Sequence, residues 1–165
     1  MNVIIDTNIL KAANGDSEQV KGDNQLACIL FLEDIKAQNG CVSVDSLNLI
    51  FEEYSKHCNH KGQPGTGDAF FKWLFNNQGY EYICEKVEIT LNDNRGFEEF
   101  PNDDQLKGFD KSDRKFVATA LKSAFKPTIF NATDSDWLIF SKILEQHGVF
   151  IHQLCPDVLP QRQSN

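Results

Sequence analysis

The first ten residues limit the fold of this chain more than any other stretch. Residues 3–5 are an apolar run, Val-Ile-Ile, that stops abruptly at Asp6. A short run rich in β-branched residues is typical of a strand buried in a parallel sheet. A carboxylate at the carboxyl end of such a strand lies at the sheet edge where α/β proteins bind ligands. The alternative is that Asp6 only caps the next helix, since Asp is favoured at that position.

Strand-like and helix-like patterns alternate along the rest of the chain. Further strands are predicted at 41–44, 128–130 and 149–152, with an edge strand or strand-like link within 82–91. Helices are predicted at 25–38, 46–58, 68–75, 113–125 and 137–146, the fourth with Ser112 as its N-cap. This alternation predicts an α/β fold, a three-layer α/β/α sandwich with a central, mainly parallel sheet of about five strands. The length of 165 residues suits one domain over 1–155, followed by a polar tail over 156–165.

Two loops are longer than this fold needs. Residues 60–67 are rich in Gly and Pro, and residues 92–112 form a long acidic connection. A long loop in a compact domain is more often functional than idle. Between the two loops, the aromatic helix at 68–75 is expected to place most of its rings in the core and to leave one or two exposed.

Charge and cysteine content narrow the class of protein. The formal net charge of −8 argues against tight, nonspecific DNA binding, because phosphate contacts need Lys and Arg. A nuclease is still compatible, since bound cations reverse the local potential of a carboxylate cluster. No apolar run approaches the roughly 20 residues of a membrane helix, and the N-terminus has no signal-peptide pattern. The five cysteines are scattered and odd in number, which predicts reduced thiols and a cytoplasmic protein.

Several acids share one place in the predicted fold. Asp6 ends the first strand, Asp134 follows a later strand, and Asp113 opens a helix near the same edge of the sheet. Right-handed connections bring the carboxyl ends of parallel strands to one edge. A fourth acid, Glu53 or its neighbour Glu52, lies in the second predicted helix. We therefore expect an acidic cluster at this edge.

Such a cluster points to a metal. Close carboxylates repel one another, so the arrangement is costly unless a cation holds it. Hard oxygen ligands suit Mg²⁺ or Mn²⁺. Two such ions roughly 4 Å apart can activate a water, hold a phosphate and stabilise a leaving oxygen. The chemistry that requires this arrangement is phosphodiester hydrolysis.

Four segments resemble the motifs of PIN-domain nucleases, in the same order along nearly the whole chain. Residues 3–8 match the opening motif, a strand followed by Asp-Thr-Asn, and residues 50–54 match the second, a glutamate before an apolar residue on a helix. Residues 112–120 match the third, an Asp that opens an alanine-containing helix. Residues 129–137 match the fourth, a strand followed by Asp-x-Asp and an apolar residue. The chain thus resembles a small bacterial-type member of the PIN-like superfamily.

The resemblance implies which residues carry the chemistry. The metal ligands and catalytic acids would be Asp6, Glu53, Asp113 and Asp134. Thr7 and Asn8 would orient Asp6 or the metal-bound water through hydrogen bonds. Asp136 would be either a supporting acid or the N-cap of the last helix, and we prefer the cap. Arg114 and Lys115 would meet substrate phosphates, although exposed cations in a first helical turn are usually only solvated.

These observations lead to competing hypotheses of function. The first is a Mg²⁺- or Mn²⁺-dependent hydrolase, an endoribonuclease in which a metal-activated water attacks the phosphorus in line. The resemblance favours RNA as substrate and, as in many small family members, a toxin restrained by an antitoxin-type protein partner. The oligomeric state stays open, with a homodimer among the alternatives, and no membrane partner is expected. The second hypothesis is a non-catalytic PIN-like module that binds RNA or a protein.

Three other interpretations are set aside. His57, Cys58 and His60 invite a zinc interpretation, but no second ligand pair has suitable spacing. Residues 62–67 look like a phosphate loop, but no Lys-Ser/Thr follows them and no strand precedes them. A receiver-like signalling domain would have paired acids at the first strand and a strand-end Lys, and neither is evident.

Overall fold

A computed structural model describes residues 1–159 of the chain and shows one five-stranded sheet and one small ribbon. In chain order the strands are β1 (Asn2–Ile5), β2 (Cys41–Asp45), β3 (Cys84–Val87), β4 (Leu91–Asn92), β5 (Gly96–Phe97), β6 (Thr128–Asn131) and β7 (Ile151–Gln153). The helices are α1 (Thr7–Ala13), α2 (Asp23–Ala37), α3 (Leu49–His57), α4 (Thr66–Asn76), α5 (Arg114–Lys122), α6 (Ser135–Ile139) and α7 (Ser141–Gln146). The predicted α/β sandwich around a central parallel sheet of five strands is confirmed.

The order of the strands in the sheet reverses beside β1. The order is β3-β2-β1-β6-β7, so the chain moves outward from β1 to β3 and then returns to the other side of β1. Every pairing in this sheet is parallel, and Val3 of β1 is aligned with both Val42 of β2 and Thr128 of β6. Ligands of open α/β sheets bind outside the carboxyl ends of the strands at such a reversal. The ends of β1 and β6 therefore flank the expected site.

Helices cover the two faces of the sheet. Right-handed crossovers place the helices before and after the reversal on opposite faces. Helices α1 to α4 contact one another in one layer, while α5 and α6 are joined by the edge-to-face contact of Phe116 with Trp137. The residues of β1 from Val3 to Ile5 have no exposed surface, as expected for a strand covered on both sides.

Two buried aspartates fasten the α1–α4 layer. Asp45, at the end of β2, accepts hydrogen bonds from the backbone N–H groups of Leu49 (2.9 Å) and Ile50 (2.8 Å) at the start of α3. Asp68 of α4 accepts hydrogen bonds from the Asn14 side chain and from the backbone N–H groups of Asn59 and Gly65. Both carboxylates are thus surrounded by N–H donors. They anchor the two ends of the segment that contains the 60–67 loop.

A glycine lets α4 approach α1 closely. A Cβ atom at Gly67 would lie 2.2 Å from the Leu10 carbonyl oxygen, so any larger residue would push the helices apart. Farther along α4, Phe70 and Phe71 are buried while Phe75 is 43% exposed. This confirms the expectation that most rings of the aromatic helix are in the core.

The acidic connection at 92–112 is folded. It contains the last residue of β4, all of β5 and a short 3-10 helix, Asp104–Leu106, and it leads into a second one, Lys111–Asp113. Phe97, Phe100, Leu106 and Phe109 are buried, so the segment has apolar anchors of its own. It packs beside α5, which β5 contacts.

Several predicted boundaries are wrong. Ser112 is not the N-cap of α5. Asp110 caps the preceding 3-10 helix by accepting the Ser112 N–H, and Asp113 occupies the N-cap position of α5. Helix α5 ends at Lys122 rather than at residue 125, because Ser123 leaves the helical conformation. The helix predicted at 137–146 is divided at Phe140 into α6 and α7. Strand β7 starts two residues later than predicted, since Gly148 at φ 87° continues the turn.

Other sequence-based expectations have mixed outcomes. The strand predicted within 82–91 is β3, at the edge of the sheet. All five cysteines, each within residues 1–159, are free and buried. No helix in residues 1–159 is both long enough and apolar enough to cross a membrane. Pro156–Val158 form a 3-10 turn at the start of the predicted tail, and the rest of that tail from residue 160 lies outside the described residues.

Candidate metal centre

Three aspartates meet at the reversal of the sheet. Asp6 directly follows β1, Asp134 lies three residues after β6, and Asp113 ends the 3-10 helix before α5. One carboxylate oxygen from each lies within 4.8 Å of the other two. Asp6 and Asp113 are buried, and Asp134 is partly buried at an open cleft. The structure therefore brings together three of the four acids that the sequence predicts as ligands.

Asp6 is held by two donors. Its Oδ1 accepts the backbone N–H of Asn8 at 3.0 Å, so Asp6 is indeed the N-cap of α1. Its Oδ2 accepts the indole N–H of Trp137 at 2.5 Å. Each carboxylate oxygen has a second lone pair, so capping the helix and facing a cation are compatible. The two interpretations of Asp6 in the sequence do not exclude each other.

An amide network fixes the strand ends that carry Asp6 and Asp134. The Asn131 Oδ1 accepts hydrogen bonds from the Asn8 side chain (2.8 Å) and the Asp134 N–H (3.1 Å). Asn131 donates in turn to the Asp134 carbonyl, and Asn8 accepts the N–H of Ala132. Because Asn131 is fully buried, this network sets the separation of the two aspartates rigidly.

Asp113 has a different environment. No N–H group in residues 1–159 donates to its side chain, which instead lies with one carboxylate oxygen within 4.8 Å of oxygens of Asp6 and Asp134. Burial and the charges of Asp6 and Asp134 raise the pKa of Asp113 to about 9. Burial also raises the pKa of Asp6 to about 6, against the lowering effect of the N–H donors from Asn8 and Trp137. The cluster thus resists full ionisation in the absence of a cation.

Glu53 lies beside the cluster but outside the group of three. Its Oε1 accepts the Thr7 hydroxyl at 2.5 Å, and its Oε2 forms an ion pair with Lys115. The Tyr54 hydroxyl donates to the Ile5 carbonyl and so fastens α3 to the end of β1. Glu53 lines the acidic cleft, whereas Glu52 faces a separate aromatic groove. The structure thus distinguishes the two glutamates that the sequence leaves open.

The predicted phosphate contacts are not free cations. Arg114 is buried, and its guanidinium donates to the backbone carbonyls of residues 95, 106, 107 and 109. Lys115 is buried too, between Glu53 and the Ser112 carbonyl. Both side chains are therefore engaged within the protein, which corrects the assumption that first-turn cations are exposed. The side chains of Lys11 and His57 do line the acidic cleft.

For two supporting residues, one of the two predicted roles is wrong, and the other (a supporting acid for Asp136, a contact with a metal-bound water for Thr7) stays a prediction. Asp136 is not the N-cap of α6, since Asp134 is the cap and accepts the Asp136 N–H at 2.8 Å. The Asp136 carboxylate instead accepts the N–H of Asp110 and so ties α6 to the segment that carries Asp113. Thr7 positions Glu53 rather than Asp6.

Sequence reasoning missed Asn131 and Trp137. Asn131 is the last residue of β6, and a polar residue that ends a buried strand is the signal that could have identified it. Trp137 fits the apolar position of the fourth motif, but its indole N–H needs a partner when buried, and Asp6 is that partner.

The donor set fits a hard divalent cation. All three converging groups are carboxylates, which are the ligands that Mg²⁺ and Mn²⁺ prefer. Fold and site together define an α/β sandwich with a carboxylate cluster at the reversal of a parallel sheet. Comparison of the chain with protein-family models, with curated proteins and with solved structures finds no match.

Proposed function

We propose that the chain is a Mg²⁺- or Mn²⁺-dependent nuclease that hydrolyses phosphodiester bonds. The observation that supports it is the convergence of Asp6, Asp113 and Asp134 within 4.8 Å, in an open cleft at the sheet reversal. A purely structural cluster of this kind would be self-repulsive. Asp113 accepts no N–H donor within residues 1–159, whereas a buried aspartate with a structural role, such as Asp45, accepts two.

The residues of the cleft have complementary tasks in this proposal. Asp6, Asp113 and Asp134 would hold the cation. A divalent ion bound there supplies an activated water and neutralises charge that develops on the phosphate. Lys11 and His57, which line the same cleft, would contact the substrate phosphates in place of Arg114 and Lys115. Glu53 would keep the helix α3 side of the cleft in place through Thr7 and Lys115.

The identity of the substrate rests on the resemblance to PIN-domain nucleases. RNA as substrate, endonucleolytic cleavage, a cytoplasmic location and a toxin role with an antitoxin-type partner are all proposed on that basis. The geometry of the cleft supports the phosphodiester chemistry and does not choose between RNA and DNA. Both nucleic acids therefore belong in the test.

The test combines metal binding with cleavage. Purified protein is titrated with Mn²⁺ in a calorimeter and incubated with end-labelled RNA and DNA pools, with and without EDTA. We expect Mn²⁺ binding and metal-dependent cleavage, both lost in Asp6→Asn. The absence of metal-dependent cleavage of any pool would contradict the enzyme proposal.

A non-catalytic module is the second candidate, and one observation favours it. Glu53, the fourth acid, is neutralised by its ion pair with Lys115 and does not join the three aspartates. A module of this kind would retain RNA or protein binding without cleavage. Mn²⁺ binding without cleavage in the experiment above would support it.

A further inference from the structure

A second cleft lies next to the acidic one and is built by the 92–112 segment and the start of α5. It encloses about 320 Å³, which is at the lower end of the range for small-molecule sites. We call it the insertion pocket. The residues that matter for its chemistry are Asn94, Arg95, Phe100, Lys107, Lys111 and Arg114.

One short segment separates the two clefts. Asp110, Ser112 and Asp113 line the acidic cleft, whereas Lys111 and Arg114 line the insertion pocket. The 3-10 turn at Lys111–Asp113 therefore presents acids to one side and cations to the other. A ligand that extends from the acidic cleft across this segment would meet positive charge.

The insertion pocket concentrates positive charge in an acidic protein. Four of its lining residues are Lys or Arg and one is acidic, while the chain as a whole has a net charge of −8. The acidic residue, Asp103, is bound to His147 at 2.8 Å. In the described part of the chain, Lys107 pairs with Asp104, and both side chains are so exposed that solvent screens the pair. Arg95 pairs with Glu98 at 3.5 Å. Lys111 has no acidic partner in residues 1–159.

Arg114 contributes a fixed charge to the wall of this pocket. Its donors go to backbone carbonyls and not to a carboxylate, so its positive charge is not neutralised. The guanidinium carbon lies 4.6 Å from the centroid of the Phe100 ring, which holds the group in place. Its buried Nε has no hydrogen-bond partner in the described part of the chain. Because its Nη donors are already used and its Nε is buried, Arg114 would attract an anion through its charge and not through a direct bidentate contact.

We propose that the insertion pocket binds a phosphate group. Lysine and arginine supply the charge, the Asn94 and Asn102 side chains supply amide donors, and Phe100 supplies an apolar wall. The phosphate would come from a nucleic-acid strand that also occupies the acidic cleft, or from a free nucleotide. The strand source rests on the proposed function, whereas the nucleotide source is independent of it.

The test measures binding without cleavage. Inorganic phosphate, adenosine monophosphate and a short fluorescein-labelled single-stranded RNA are titrated into the full chain in EDTA, which prevents metal-dependent hydrolysis. Lys111→Glu and Lys107→Glu change exposed side chains and leave the core intact. We expect each to weaken binding by about tenfold, the typical effect of losing one charge-assisted contact. Lys21→Glu, an exposed site outside the pocket with the same change in charge, is the matched control.

The set of probes that bind more weakly to the pocket variants identifies the source of the phosphate group. Weaker binding of RNA alone would assign the pocket to the strand, and weaker binding of phosphate and adenosine monophosphate alone would assign it to a free nucleotide. Weaker binding of all three would show a phosphate site that accepts both. The proposal is overturned if no probe binds, or if both pocket variants bind like Lys21→Glu. Since cleavage is measured separately, an inactive enzyme with an intact pocket would still be recognised.

Discussion

Buried aspartates occur in two regions of this molecule, in opposite surroundings. Asp45 and Asp68 in the helical layer accept hydrogen bonds from backbone and side-chain N–H groups. Asp113 at the sheet reversal faces other carboxylates, and burial together with these charges raises its pKa. Asp45 and Asp68 thus have their hydrogen-bond donors within the protein itself. In the proposed function a cation would relieve the arrangement around Asp113, so the difference would separate acids that hold the fold from acids that bind the metal.

The largest expected effect comes from neutralising the cluster. Asp113→Asn removes one of three converging carboxylates, so we expect metal-dependent cleavage to fall by more than about a hundredfold, since loss of an outer-shell group alone costs 10- to 100-fold. Mn²⁺ binding by calorimetry should weaken in parallel. The metal-free variant should be at least as stable as wild type in urea, because Asn needs neither a buried charge nor a bound proton beside Asp6 and Asp134. A clear loss of stability would place Asp113 with the structural acids.

A substitution of a structural acid should lower stability without affecting metal binding. Asp45→Ala leaves two N–H groups at the start of α3 without their acceptor, and we expect the free energy of unfolding to fall by about 2–3 kcal/mol. Urea denaturation measures this loss. Asp45→Asn, which keeps one acceptor oxygen, should lose less. Mn²⁺ affinity of the folded protein should stay near that of wild type, and a large decrease would erase the distinction between the two regions.

The sequence predicts the strand-end acids better than their surroundings. Asp6 and Asp134 follow strongly apolar strands, so topology alone places them at one edge. The contacts of the Arg114 side chain could not be predicted, because they depend on how the 92–112 segment packs. That packing is set by contacts between residues distant in sequence. The choice between Glu52 and Glu53 depends on the rotation of α3, which the Tyr54 hydroxyl bond to β1 determines.

A smaller effect on cleavage is expected for Glu53, which lines the cleft but is not one of the three converging carboxylates. Glu53→Gln keeps the shape of the side chain but loses the ion pair with Lys115, so we expect cleavage to fall by about tenfold, the lower end for groups that support metal ligands. Glu52→Gln, one residue away and directed to another groove, is the matched control. Equal activities of the two variants would show that Glu53 has no part in the site.

A pH dependence of stability should also distinguish Asp113 from the structural acids Asp45 and Asp68. Its native pKa of about 9 lies above the unfolded value of 3.8, so between these values the native state holds a proton that the unfolded state has lost. Stability from this group is therefore complete below about pH 4 and is lost as the pH rises toward 9. Across this window Asp113 holds about one proton more in the native state than in the unfolded state, so we expect the free energy of unfolding to fall steadily between roughly pH 5 and 8. Urea denaturation in EDTA across this range should show a steeper slope in wild type and in the exposed-site control Asp16→Asn than in Asp113→Asn, where the raised pKa of Asp6 is left. Saturating Mn²⁺ should stabilise the protein more at the higher pH, because the cation binds the deprotonated acids. An equal slope in Asp113→Asn and wild type would mean that Asp113 is already ionised without a metal, as a structural acid is.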